Sequence, residues 1–244
     1  MNTILITGGA RRIGKGLAIK FSEQGNNIII NYNISEAEAN ELKTYFEDKK
    51  VNCYFIKADV SNSENVNKMF EQIQSDFIMP NILINNAGIF TENTELDKVD
   101  DIKWHNTLEI NLSSQFYCAR EFYNFVKSNN IQNARIINMA SLGGTEVWKN
   151  RTPYNVSKAG VIQLTKSLAR DLAPLVSVNC ISPGTIEIKN ESPSEPLRIS
   201  NERIPFLRFG NIDDIFDAVN FFATASQFIT GNNLIVDGGY SLSR

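Results

Sequence analysis

Residues 3–16 read TILITGGARRIGKG. An apolar run, a turn carrying Gly8 and Gly9, and a helical-looking LAIKFSEQ that begins behind Gly14 place a strand, a turn and a helix start in immediate succession. Backbone amides left open at a helix N-terminus, approached through residues without side chains, form a site for an anion such as a nucleotide phosphate. Glycines also fill ordinary surface turns, so the position directly behind the first strand is what favours the nucleotide. Strict G-x-G-x-x-G spacing is absent, T-G-x5-G is present, and Arg11 and Arg12 stand where bare backbone would be expected.

Working outward, short runs rich in Ile and Val alternate with segments of helical period. Strands are predicted at Thr3 to Thr7, Asn27 to Tyr32, Cys53 to Lys57, Asn81 to Asn85, Ala134 to Met139, Val176 to Ile181 and Asn233 to Val236. Helices are predicted at Ile13 to Gln24, Ser35 to Lys49, Glu64 to Phe77, Ile102 to Lys127, Pro153 to Leu172 and Asp213 to Ser226. Continuous apolar strands imply burial on both faces, and repeated β-helix-β units imply a parallel sheet. The expected fold is therefore an α/β, Rossmann-type doubly wound sheet of about seven strands, in one domain spanning 1–244. Residues 184–210, with three prolines and no clear period, read as a substrate-binding loop or lid.

Composition excludes several classes. A net charge of −3 with both signs interspersed gives no basic footprint for nucleic acid or an anionic membrane. The N-terminus is neither a signal peptide nor a membrane span, so a cytoplasmic protein is expected. Cys53, Cys118 and Cys180 lack metal-ligand spacing and read as small buried hydrophobes, with no metal site expected.

The second strand ends in IIINYNISE. A carboxylate at that point would bond the ribose of NAD and repel the extra phosphate of NADP, yet Tyr32 and Asn33 occupy it. Ser35 offers a hydroxyl, and Arg11 and Arg12 offer charge-assisted donors, so NADP(H) is expected over NAD(H). The bland alternative makes both arginines solvated surface residues.

A Tyr four residues before a Lys on a helix shares one face with it, and a nearby ammonium favours the phenolate. The spacing occurs at Tyr45 with Lys49, Tyr123 with Lys127, and Tyr154 with Lys158. Only the third follows a Ser at the mouth of a buried strand, Ser141 after ARIINMA, which points at the same crevice as the glycine loop. His105, beside Trp104, reads as a surface residue.

Taken in order, TGGARRIG, ADV (Ala58 to Val60), NNAG (Asn85 to Gly88), Asn111, Ser141, the Tyr154 and Lys158 pair, PGT (Pro183 to Thr185) and TGNNLIVDGG resemble the compact short-chain dehydrogenases and reductases over essentially the whole chain. The resemblance implies that Gly8, Arg11, Arg12, Ile13 and Gly14 hold the pyrophosphate. It implies that Asp59 and Val60 border the adenine, that Asn86, Ala87 and Gly88 line the crevice, and that Pro183, Gly184 and Thr185 meet the nicotinamide end. It further implies hydride transfer to a carbonyl, with Ser141 bonding the substrate oxygen and Tyr154 moving the proton. Lys158 would lower the tyrosine pKa and hold the ribose, Asn111 would position a relay water, and the protein would be a dimer or tetramer through the long helices.

Substrate stays open among alternatives. IPFLRFG (Ile204 to Gly210) looks like the 3-oxoacyl-[acyl-carrier-protein] reductases, whose acidic partner would need basic residues near the entrance, for which Arg170, Lys127 and Arg151 are candidates. Pteridine reductases resemble the chain at Arg12 and at Phe90, a stacking position for the pterin, but differ at Ser141 and at Gly88. Phe90 also reads as a plain pocket-lining residue. A nucleotide-binding protein without catalysis is the third alternative.

Overall fold

Along each inner strand, alternate apolar side chains enter opposite layers. Ile4, Ile6, Ile28, Ile30, Ile82 and Ile84 pack in one core, while Leu5, Ile29 and Leu83 pack in another. In the computed structural model, which describes residues 1–76, 78–188 and 200–243, this doubly buried pattern is resolved as one sheet with helices on both sides. The strands are β1 (Thr3–Ile6), β2 (Asn27–Tyr32), β3 (Cys53–Lys57), β4 (Ile82–Asn85), β5 (Ala134–Met139), β6 (Val176–Pro183) and β7 (Asn233–Val236). All pair in parallel, in the order β3-β2-β1-β4-β5-β6-β7. Helices α1 (Arg12–Glu23), α2 (Glu36–Asp48) and α7 (Ile212–Thr224) cover the first face. Helices α3 (Ser63–Ser75), α5 (Ser114–Ser128) and α6 (Thr152–Asp171) cover the second.

The order reverses between β1 and β4, so the chain leaves these neighbours in opposite directions and opens a crevice beyond their carboxyl ends. Every strand places its last residue on that side, which is why the glycine loop, Asn86, Ser141 and Pro183 converge although they are far apart in sequence.

Two expectations change. The long helix is not continuous: α4 (Asp101–Leu108) and α5 are joined by a π-helical turn, Glu109–Ser113. Cys53 is half-buried rather than buried, while Cys118 and Cys180 are buried. Residues 189–199 of the expected lid lie outside the described residues, as does Phe77 at the expected end of α3. Among the described residues, no helix is long and apolar enough to cross a membrane.

Candidate active site

The loop after β1 is braced by polar side chains from its neighbours. Asn86 Nδ2 donates to the carbonyls of Thr7 and Gly8 at 3.0 Å each. Thr7 Oγ1 accepts from the amides of Asn86 and Ala87. Asn31, buried at the centre of the sheet edge, donates to Ala58 O at 3.0 Å and accepts from Gly8 N. A Cβ on Gly14 would overlap the Gly8 carbonyl and stand 2.6 Å from Asn86 Nδ2, so only hydrogen fits there. The resulting cradle is bare backbone at a helix start, which fits a dinucleotide pyrophosphate. Arg12, at φ +52, has the left-handed backbone that favours glycine, a conformation costing about 1–2 kcal/mol in any other residue.

One cavity of about 820 Å³ runs from this loop to the end of β6. It is lined by Gly8, Arg11, Arg12 and Ile13, by Tyr32, Asn33 and Ser35, and by Asp59 and Val60. Asn86, Ala87, Gly88, Phe90, Ser141, Tyr154, Lys158, Pro183, Gly184 and Thr185 complete the expected set within it. Gly14 and Asn111 support the cavity from behind. The two other Tyr/Lys pairs and exposed His105 lie away from it.

Ser141 lies two residues beyond β5 with its hydroxyl accepting from Gly143 N at 3.2 Å, and a hydrogen bond joins it to the Tyr154 side chain. Lys158, one helical turn past Tyr154, donates from Nζ to Met139 O at 2.9 Å. Burial pulls its ammonium down to about 8. The expectation that Lys158 holds down the tyrosine is corrected here. Burial raises the Tyr154 phenol above its ordinary value, and the opposing pulls come from Ser141 and the charge of Arg151. Lys158 Nζ lies 6.0 Å from the tyrosine ring centre and is turned toward a carbonyl.

Asn111 sits in the π turn, where a helix takes an extra residue per turn. Its side chain accepts from Ile89 N at 2.7 Å and donates to Ile89 O and to Ser157 Oγ. These bonds clamp the segment after Gly88. Gln115 donates to Met139 O and to Asn111 O, tying the turn to the carbonyl that receives Lys158.

Arg151 is the clearest relocation. It was a candidate for an exposed carrier-protein face, yet it is 2% exposed and lines the cavity, its guanidinium 4.3 Å from the centre of the Phe90 ring. Lys127 and Arg170 are exposed but close the far ends of α5 and α6. Each stands 16 residues, about 24 Å, beyond Asn111 or Tyr154 and thus at the opposite end of the sheet from the entrance. Sequence reading passed over Asn31, Gln115 and Trp148 altogether. For Asn31 the available signal was a polar residue inside the apolar run NIIINY; Trp148 gave none.

The family profile described as "Enoyl-(Acyl carrier protein) reductase" matches residues 8–241. The 3-oxoacyl-[acyl-carrier-protein] reductase FabG of Staphylococcus epidermidis is 32% identical over 239 residues, covering 96% of this chain and 97% of its own. The (2S)-[(R)-hydroxy(phenyl)methyl]succinyl-CoA dehydrogenase subunit BbsD of Thauera aromatica is 34% identical, covering 98% and 96%. A gluconate 5-dehydrogenase from Burkholderia cenocepacia, solved with NADP and tartrate, superposes with a TM-score of 0.90 at 29% identity, covering 100% and 96%. An NAD⁺-bound xylitol dehydrogenase reaches 0.87 at 26% identity, covering 98% of each chain. With sequence identity, profile and superposition agreeing over nearly the whole chain, this chain belongs to the short-chain dehydrogenase/reductase family of oxidoreductases.

Proposed function

We propose that the protein is an NADPH-dependent reductase of carbonyl compounds, with 3-oxoacyl thioesters the first substrates to try. The observation that carries this reading is the hydrogen-bonded Ser141 and Tyr154 pair in the same cavity as the glycine loop. A bound nicotinamide dinucleotide supplies the hydride. The protein does the rest. Ser141, held by Gly143 N, donates to the substrate oxygen as negative charge develops on it. Tyr154, kept protonated by burial, gives that oxygen its proton, which suits reduction. Lys158 holds the nicotinamide ribose, and Asn111 keeps the Gly88 segment in place through Ile89.

Preference for NADPH rests on the adenosine end. Arg11 and Arg12 line the cavity there with Ser35. The nearest acid after β2, Glu36, already accepts from Lys57 at 2.6 Å, and Asp59, the acid among the described residues lining the cavity, accepts from Ser61 N and Oγ. Arg12→Gly is expected to weaken NADPH binding about 10- to 100-fold, the worth of a charge-assisted contact, and NADH binding far less. The thermal midpoint should not fall, because glycine relieves the left-handed backbone. Fluorescence titration of both nucleotides checks this, and equal loss for the two would remove Arg12 from phosphate recognition. Loss of turnover with one substrate class only would assign Arg12 to the substrate instead.

The choice of substrate class is supported by the relatives, several of which are 3-oxoacyl-[acyl-carrier-protein] reductases. The pteridine alternative is disfavoured by Phe90, whose ring already stacks on Arg151 and stands edge-on to Tyr154 at 85°. NADPH consumption measured side by side with an acetoacetyl thioester, dihydropterin, and simple ketones and sugars tests the assignment. Oxidation of NADPH by dihydropterin alone would overturn it.

A further inference from the structure

Where the cavity reaches the segments that follow β5 and β6, its wall is made of rings and branched aliphatics. Phe90, Trp148, Ile186 and Ile188 line it there, with Val147 at the rim. Phe90 keeps 45% of its surface open and Val147 91%, although both line a concave site. Asp59, the one acid among the described lining residues, belongs to the loop after β3, across the sheet from β5. Open apolar surface in such a place gains most from an occupant that is itself apolar.

The rings are set as flat walls. Trp148 lies within 10° of parallel to Tyr154, with ring centroids 6.0 Å apart. Phe90 stands across both, at 85° to Tyr154 and 76° to Trp148, with its centroid 4.8 and 6.2 Å from theirs. At 6.0 Å two parallel rings are stacked with a lateral offset, so part of the indole face runs on past the phenol. Bare backbone holds the arrangement: a Cβ on Gly143 would stand 3.1 Å from Trp148 Cε3, Trp148 Cζ3 and Tyr154 Cε1, while the Gly143 amide donates to Ser141 Oγ at 3.2 Å. Asn155 Nδ2 ties down the other side of the segment by donating to Trp148 O at 2.9 Å. One glycine therefore sets the indole, the phenol and the serine hydroxyl relative to one another. A wall held this way does not remould itself around a branched or puckered group, but it meets a flat ring over a whole face.

We propose that Trp148 and Phe90 bind a flat apolar ring attached to the reacting carbonyl carbon, so that the preferred substrates are aryl ketones, 3-aryl-3-oxoacyl compounds among them, rather than short alkyl or polyhydroxylated ones. This rests on the carbonyl-reductase reading and narrows it. A ring laid against Trp148 gains aromatic contact beyond the area it buries. Its plane is shared with the conjugated carbonyl, so holding the ring also aims the oxygen at Ser141 and Tyr154. A polyhydroxylated chain in the same place would press hydroxyls against rings that offer them no partner.

The test compares ethyl benzoylacetate with ethyl acetoacetate, which carry phenyl and methyl on the same carbonyl carbon, in the unaltered protein, Trp148→Phe and Trp148→Ala. The expected result is a phenyl-over-methyl ratio of kcat/KM that falls about 10- to 100-fold in Trp148→Ala and is largely kept in Trp148→Phe. Taking the ratio cancels the intrinsic reactivity of the two ketones and any general damage to folding or to the tyrosine. A ratio unchanged in Trp148→Ala overturns the proposal and leaves the reductase reading intact. In parallel, benzamide and acetamide, which are not reduced, are titrated by calorimetry onto the protein with and without NADP⁺. Where neither ketone is turned over, the reductase reading fails and this second arm decides. Benzamide binding that exceeds acetamide binding and is lost in Trp148→Ala upholds the aromatic wall, and equal binding of the two overturns it.

Discussion

Tyr154→Phe is expected to lower turnover by about 10²- to 10⁴-fold, the range for losing a positioned proton donor, while NADPH binding and the thermal midpoint stay near their original values. The phenyl ring is what packs. It is buried between Trp148, stacked at 6.0 Å, and the edge of Phe90 at 4.8 Å, and phenylalanine keeps both contacts. Only the hydroxyl and its bond to Ser141 are lost. Because burial raises the phenol, the group stays protonated through neutral pH, and its removal takes away the proton rather than a charge. Steady-state rates and nucleotide titration on the same preparation check this. Residual turnover above about a tenth would remove Tyr154 from the proton path.

Lys158→Met should abolish turnover and, at the same time, stabilise the nucleotide-free fold. The lysine is buried, and its ammonium is pulled from an ordinary 10.5 to about 8 by desolvation. At neutral pH it is therefore charged in both states and charged at a cost when folded. A shift of this size corresponds to about 3 kcal/mol, from which the lost bond to Met139 O takes back about 1. The remainder raises the midpoint by about 4–8 °C in a chain of this length. The sign with pH is definite. Between about 8 and 10.5 the unfolded chain binds the proton that the folded chain has released, so stability from this group rises with pH across that window. Calorimetry from pH 7 to 10 should show the rise in the unaltered protein and lose it in Lys158→Met. A variant less stable than the parent at pH 7 would contradict the buried-charge account.

Strand positions were legible because burial on both faces leaves an uninterrupted apolar signature. β2, β3, β5 and β7 begin and end where the residue pattern places them. The crevice followed from topology once the strand ends were known. Arg151 was not legible, since nothing in TEVWKNR has a period, and its burial depends on Phe90, 61 positions earlier in the chain. Lys127 and Arg170 misled for a related reason: composition records a basic residue but not which end of a helix it closes. The tyrosine's environment was misread because spacing along a helix shows that two side chains share a face, whereas the direction of Lys158 Nζ was set by a carbonyl on a neighbouring strand.

The π turn at Glu109–Ser113 escaped notice because apolar and small residues continue through it at near-helical intervals. Such a turn holds one residue more than its α counterpart, so everything after it is rotated by about 100° about the axis. Downstream, Cys118, Ala119, Phe122, Phe125 and Val126 face the sheet in that shifted phase, while Asn111 points to Ile89 from within the turn. Removing any one of the five residues would yield a smoother helix that can bury its apolar stripe or aim its asparagine, but not both. What this part of the molecule inherits is therefore a count: a single inserted position, invisible to substitution, sets the angle between the scaffold's phase and that of its working side chain.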